Sequence, residues 1–164
     1  MSSSSPFDTE LIALLPRLRR FAHSLSQNGT DADDLAQATV ERALRSRDQW
    51  QPGTRLDSWL CRIMRNLWID MVRSRSRKER HEAPAEEVEQ LGTDPREAID
   101  ASIELQRVMS AMSRLPDEQR EVVALILIEG FGYRETAEML GLPIGTVSSR
   151  LVRGRNALLE SVGT

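Results

Sequence analysis

From Glu10 to Arg80 apolar residues return at every third or fourth position, and the chain never alternates with the period of two that marks a half-buried strand. The pattern therefore predicts an all-α protein. Leu11, Leu14, Leu15, Leu18, Phe21 and Leu25 outline a first helix that ends before Asn28-Gly29. Thr30 or Asp31 is placed to cap a second helix, in which Leu35, Thr39, Val40, Ala43 and Leu44 form one stripe while Asp34, Gln37 and Glu41 point away from it. Trp50-Gln-Pro-Gly-Thr54 breaks the chain as a turn. A longer helix follows from about Leu56 to Arg75, with Leu56, Trp59, Leu60, Ile63, Leu67 and Met71 on its inner side and Arg62, Asn66, Asp70 and Arg73 sharing another face.

The segment from His81 to Pro95 holds Pro84, Gly92, Pro95 and a cluster of acids with little apolar content, which predicts a flexible acidic linker over 81–95. It separates a helical unit over 10–80 from a second over 96–162, and residues 1–9 read as a disordered tail. In the second unit Ile99, Ile103, Leu105, Val108, Met112 and Leu115 outline a helix closed by Pro116, which also starts the next one. The run from Val122 to Ile128 is apolar on nearly all sides and belongs in a core, and Gly130 is placed to end it.

The last quarter carries the clearest chemistry. Two short helices around Gly141-Leu142-Pro143 read as a helix-turn-helix, with Thr136, Ala137 and Leu140 on one side of the first and small Ala137 allowing close approach of the second. The second helix, from about Ile144 to Leu158, turns Val147, Leu151 and Leu158 inward and leaves Ser148, Ser149, Arg150, Arg153 and Arg155 largely outward. Hydroxyls of this kind contact phosphates or base edges, and arginine grips guanine in two places. A helical hairpin with a solvated basic face would look the same taken alone. A single small motif also makes few contacts, so sequence-specific binding calls for a second element.

Net charge is −3, which would disfavour nucleic acid if it were evenly spread. It is not: Cys61 to Arg80 holds seven Arg or Lys against two acids, and Glu82 to Glu97 holds six acids against one Arg. Local fields, not the sum, are what a phosphate meets. The lone Cys61 offers no internal disulfide and no partner for a zinc site, which fits a reducing cytoplasm. No apolar run reaches the roughly 18 residues of a membrane span, and the N-terminus lacks the pattern of a secretory signal.

Two blocks carry a family resemblance. Asp31-Ala-Asp-Asp-Leu-Ala-Gln-Ala-Thr-Val-Glu-Arg-Ala-Leu44, then Trp50 with Pro52-Gly-Thr54, then Leu56-Asp-Ser-Trp-Leu-Cys-Arg-Ile-Met-Arg-Asn-Leu-Trp-Ile-Asp70 resemble region 2 of a bacterial RNA polymerase sigma factor of the extracytoplasmic-function group. Leu115-Pro-Asp-Glu-Gln-Arg-Glu-Val-Val123 and Gly145-Thr-Val-Ser-Ser-Arg-Leu151 are similar to region 4 of that group. Both blocks occur in the family's order, and the resemblance spans roughly Glu10 to Leu159. The spacing of the blocks leads us to expect no region 3 between them, and no extension after Leu159 of the kind some members carry is expected. The pattern from Pro52 to Leu60 is also similar to that of the alphaproteobacterial general-stress subgroup, although related subgroups share it.

The resemblance implies two small helical domains and specific roles. The helix carrying Asp33, Asp34, Gln37 and Glu41 would dock on core RNA polymerase, and its acidic face suits a partner of opposite charge. Trp50, Thr54, Arg55, Arg62, Arg65, Asn66, Asp70 and Arg73 would open the promoter −10 element and hold the melted strand, a task that needs stacking, pocket hydrogen bonds and a basic channel. Trp59 falls on the apolar stripe and reads as core, while Trp68 lies off it and is open to either role. The run Arg73 to Arg80 reads as a basic tail that touches phosphates. Ser148, Ser149, Arg150 and Arg153 would read the −35 element, with Arg155 and Arg134 on phosphates. Ser148 stands where the family commonly has Lys, so the −35 preference of the group cannot be copied.

The function implied is promoter-specific transcription initiation in the cytoplasm, with an anti-sigma factor as the expected regulator. No catalysis, metal or cofactor is expected, because His23, His81 and Cys61 fall into no arrangement of nucleophile, base and orienting group. Two rivals remain. A stand-alone helix-turn-helix regulator would bind a palindrome without polymerase. A sigma mimic that sequesters an anti-sigma factor would not need basic residues at its DNA-facing positions. A redox role for Cys61 would require an exposed, electropositive setting.

Overall fold

The computed structural model describes residues 5–81 and 99–163, which are built from α-helices. Helix α1 spans Pro6–Ser26, α2 Gly29–Arg45, α3 Leu56–His81, α4 Ile99–Arg114, α5 Asp117–Val123, α6 Tyr133–Leu140 and α7 Ile144–Val162. The all-α expectation holds for these residues. The acidic segment expected as a linker lies outside them, except that His81 ends α3.

Helix α1 begins at Pro6 instead of near Glu10. Ser5 Oγ accepts the amide of Asp8 at 3.2 Å, Pro6 occupies the first turn and Asp8 faces the helix dipole. Phe7 is thereby buried, so residues 5–9 belong to the N-terminal unit, not to a tail. The cap of α2 is also corrected: Asn28, not Thr30 or Asp31, accepts the amides of Thr30 and Asp31 through Oδ1 at 2.9 and 3.3 Å. One residue before it, Gln27 at φ 63° ends α1 in the left-handed region.

Helices α1, α2 and α3 pack mutually into the first unit, around Leu11, Leu18, Phe21, Leu25, Leu35, Leu56, Leu60 and Met64. In the second, α5 and α7 form the central contact, with Val122, Val123, Leu125, Phe131, Val147 and Leu151 at its heart. Several apolar positions of the stripes that outlined these helices are exposed: Leu44 on α2, and Ile103, Leu105 and Val108 on α4. Their helices pack on one side only, and these residues fall beyond the packed arc.

The apolar run after α5 does not continue as a regular α-helix. Over Ala124–Ile128 the turn widens, with the Glu129 amide bonded to the carbonyl of Ala124 at 2.9 Å and that of Phe131 to Leu125 at 3.0 Å. The extra residue per turn shifts the register. Leu127 faces solvent and Glu129 turns inward, so the run is core from Val122 to Leu125 and only partly so afterwards. The two units are packed together, α1 against α5 and the widened turn, and α3 against α6.

Candidate functional site

The helix-turn-helix is formed by α6 and α7. Gly141 at φ 65° makes the turn, and the amide of Leu142 closes it on the carbonyl of Ala137 at 3.0 Å. Val147, Leu151 and Gly154 pin α7 to the core. Ser149 and Arg153 stand exposed four residues apart on the outer face, Ser148 and Arg150 are half-buried at its two edges, and Arg155 is exposed beside Ser148. Arg150 Nη2 lies 3.7 Å from Glu118 Oε2, and Arg134 is exposed at the start of α6. Asn156 shares the outer face with Ser149 and Arg153. Sequence reasoning missed it, although helical spacing from Ser149 identifies it.

On α2, Asp33, Asp34, Gln37 and Glu41 are all exposed, and the Gln37 amide donates to Glu41 Oε1 at 3.4 Å. Asp33, Gln37 and Glu41 line an open groove of about 610 Å³ between α1 and α2, whose apolar floor includes Leu15, Leu18 and Val40. Arg19 lines the groove too, a basic contribution the sequence reading did not assign.

Along α3, Arg62, Asn66, Asp70 and Arg73 are exposed on one face as expected. Thr54 is exposed in the preceding turn, where its hydroxyl donates to the carbonyl of Gln51 at 2.6 Å. Trp50 is placed differently from a free stacking platform. Its ring packs 5.6 Å from that of Phe7, and its buried Nε1 has no hydrogen-bond partner. Trp59 meets Phe7 edge-on at 6.2 Å, in keeping with a packing role. Trp68 is half-buried and lines a cleft of about 180 Å³ with Leu25, Val72 and Arg120.

Arg55 and Arg65 separate from the α3 face because acids of the second unit engage them. Arg55 Nη1 donates to Glu135 Oε2 at 2.8 Å, and Arg65 Nε to Glu121 Oε2 at 3.2 Å. Arg55 also grips both oxygens of Asp57, at 3.2 and 2.8 Å, and Arg17 reaches the same carboxylate at 2.9 Å. Burial opposes ionisation of Asp57, but the hydrogen bonds from Arg55 and Arg17 outweigh it and hold the carboxyl below its usual value. Glu121 is the reverse case: burial dominates over the bond from Arg65 and raises it.

Beside this lies an arrangement the sequence did not reveal. The Glu129 carboxylate is fully buried and receives Arg17 Nε at 3.2 Å and a fork from Arg20, Nε at 3.2 and Nη2 at 3.0 Å. Arg17 Nη2 donates to the Glu129 carbonyl at 3.1 Å, and the Phe131 ring lies under Arg17 and Arg55 at 5.8 and 5.0 Å. Among the described residues no cluster of His, Cys, Asp and Glu could hold a metal, and no helix is long and apolar enough to cross a membrane.

Comparison with known proteins follows the same division. The family model for Sigma-70 region 2 matches residues 11–78, and that for Sigma-70, region 4 matches residues 105–158. The ECF RNA polymerase sigma factor EcfG of Rhodopseudomonas palustris is 39% identical over 91% of this chain and 81% of its own. The ECF RNA polymerase sigma factor SigE of Mycolicibacterium smegmatis is 41% identical over 88% of this chain and 56% of its own. The sigma factor RpoE of Bartonella quintana, solved in complex with the anti-sigma factor NepR, superimposes with a TM-score of 0.80 at 35% identity, covering 96% of this chain and 97% of that one.

Proposed function

We propose, from the premise that this chain belongs to the extracytoplasmic-function sigma factors, how its surfaces divide the work of promoter-specific transcription initiation. As a sigma factor it binds core RNA polymerase and brings it to promoter DNA, and its regulator is an anti-sigma factor. The exposed face of α2 with Asp33, Asp34, Gln37 and Glu41, together with the groove that Asp33, Gln37 and Glu41 line beside it, is the polymerase-docking surface. Its apolar floor under a charged rim is the anatomy of a protein interface.

The −35 element is read by Ser149 and Arg153 at the centre of the α7 face, with Ser148 and Arg150 at its edges and Arg134 and Arg155 on phosphates. The −10 element is opened by α3 and the turn before it: Arg62, Asn66, Asp70 and Arg73 track the separated strand, and Thr54, Arg55 and Arg65 flank it. Trp50 supports that turn through Phe7. The chain performs no catalysis of its own and works in the cytoplasm. One observation carries the reading: α7 is pinned by Val147, Leu151 and Gly154 so that Ser149 and Arg153 project together from an otherwise well-packed unit.

Run-off transcription tests it. Purified chain with core polymerase should yield transcripts from a promoter recovered after overexpression in cells, and Arg153→Ala should lower initiation by about tenfold, the worth of one base-contacting arginine. Absence of any product from the wild-type chain would remove the reading.

A further inference from the structure

Three acids of the second unit, Glu121, Glu129 and Glu135, meet four arginines of the first: Arg65, Arg17 with Arg20, and Arg55. Glu129 is the centre. A carboxylate withdrawn from water is costly unless charge and hydrogen bonds replace its hydration, and here both come from the other unit. The fork by which Arg20 holds both oxygens is the geometry with which a guanidinium grips a phosphate.

Without those acids, Arg17 and Arg55 would keep Asp57 at the start of α3 as their shared counter-charge, and Arg20 would stand one helical turn beyond Arg17 on α1. Such a cluster, beside the turn over Trp50 to Arg55, is a surface for a polyanion. The widened turn over Ala124–Ile128 serves the same contact, since its extra residue aims Glu129 at α1.

We propose that Glu121, Glu129 and Glu135 occupy the arginines of the first unit in place of nucleic-acid phosphates, closing the chain on itself, and that opening releases Arg17 and Arg20 of α1 as additional phosphate contacts for promoter DNA. The inference rests on the sigma-factor reading for the identity of the DNA, but the closed contact itself is independent of it. DNA binding by the free chain is then reduced by the fraction of molecules that are open. Either arginine, or Glu129, is a point where closure can be weakened.

Spin labels on the exposed positions Ile12→Cys and Leu159→Cys of the full chain report the separation of the units, and buried Cys61 is spared. The wild-type chain should show one narrow short-distance population. Glu129→Gln with Glu135→Gln, and separately Arg20→Gln, should shift it to longer, broader distances while circular dichroism shows both variants folded. If both fold and keep the wild-type distribution, the closed contact is not held by these charges and the proposal falls.

A generic DNA duplex without polymerase supplies the second readout. The glutamate double variant should bind about tenfold more tightly than wild type, as expected if closure leaves about a tenth of the chain competent. Adding Arg17→Gln and Arg20→Gln should abolish the gain and reduce the salt slope by about two phosphate contacts. A gain that persists overturns the role of those two arginines. Opening in a chain that gives no run-off product removes the sigma reading alone, and transcription by a chain whose distances never change removes this inference alone.

Discussion

Cys61 is 4% exposed on the inner side of α3, and withdrawal from water pushes its thiol from an ordinary 9.0 up to about 12. The neighbouring Glu129 acts in the same direction. Its thiolate is therefore scarcer at neutral pH than that of an unperturbed thiol, the opposite of the low-pKa, exposed setting a redox sensor requires. In the native chain Cys61 should resist a thiol-specific disulfide reagent at pH 8 and react promptly once denaturant is added; fast labelling of the folded protein would contradict this burial. Arg120 is another residue whose role only its surroundings define. Its guanidinium donates to the carbonyls of Met112, Ser113 and Leu115 at 2.9, 3.2 and 2.7 Å, satisfying the end of α4, and reaches Leu25 in the other unit at 3.4 Å. In the sequence it was one arginine in a motif, because carbonyl ends leave no mark in side-chain periodicity. For Trp50 the family resemblance implied a place on the −10 surface, and the burial of Phe7 explains its actual packing.

Helix α7 shows what periodicity does and does not convey. Its inner positions Val147 and Leu151 were legible at helical spacing, as were the polar residues opposite. Gly154 was not. It is buried, and a Cβ placed there would lie 2.7 Å from Val123 Cγ2 and 3.4 Å from Gln119 Cβ, so α7 approaches α5 closely at this point. Gly154→Leu should destabilise the unit by about 2 kcal/mol through overpacking, read as a lower denaturant midpoint, and should weaken −35 binding by displacing Ser149 and Arg153 together. A variant with unchanged midpoint would mean that α5 and α7 adjust at no cost. Helix α4 makes the complementary point: Ile103, Leu105 and Val108 have core-like spacing but are exposed, since an apolar stripe marks a face suited to burial, not one that is covered.

Across the whole molecule, Asp57, held by arginines that also reach the second unit, and Glu121, which itself bonds across the units, respond oppositely to pH. Asp57 is held below its ordinary 3.8, so it adds stability at pH above that value and loses it as pH falls through its folded value. Glu121 is held above its ordinary 4.5, so its contribution is complete below that value and disappears as pH rises through its folded value. In thermal unfolding across an acid-to-neutral series, Asp57→Asn should show a deficit against wild type that shrinks toward low pH. Glu121→Gln should gain on wild type as pH rises past about 4.5. The same sign for both variants would refute the assignment of these partners. By itself the sequence determined the helices, their order, the two units and the outer face of α7, because each depends on composition and spacing along the chain. Only the tertiary structure decided which charges are paired: Arg17 and Glu129 lie 112 residues apart, and Arg55 and Glu135 lie 80 apart. A charge finds its partner through the docking of one unit on another, and that docking depends on packed surfaces and on the widened turn before Glu129, neither of which is written in the period of any one helix.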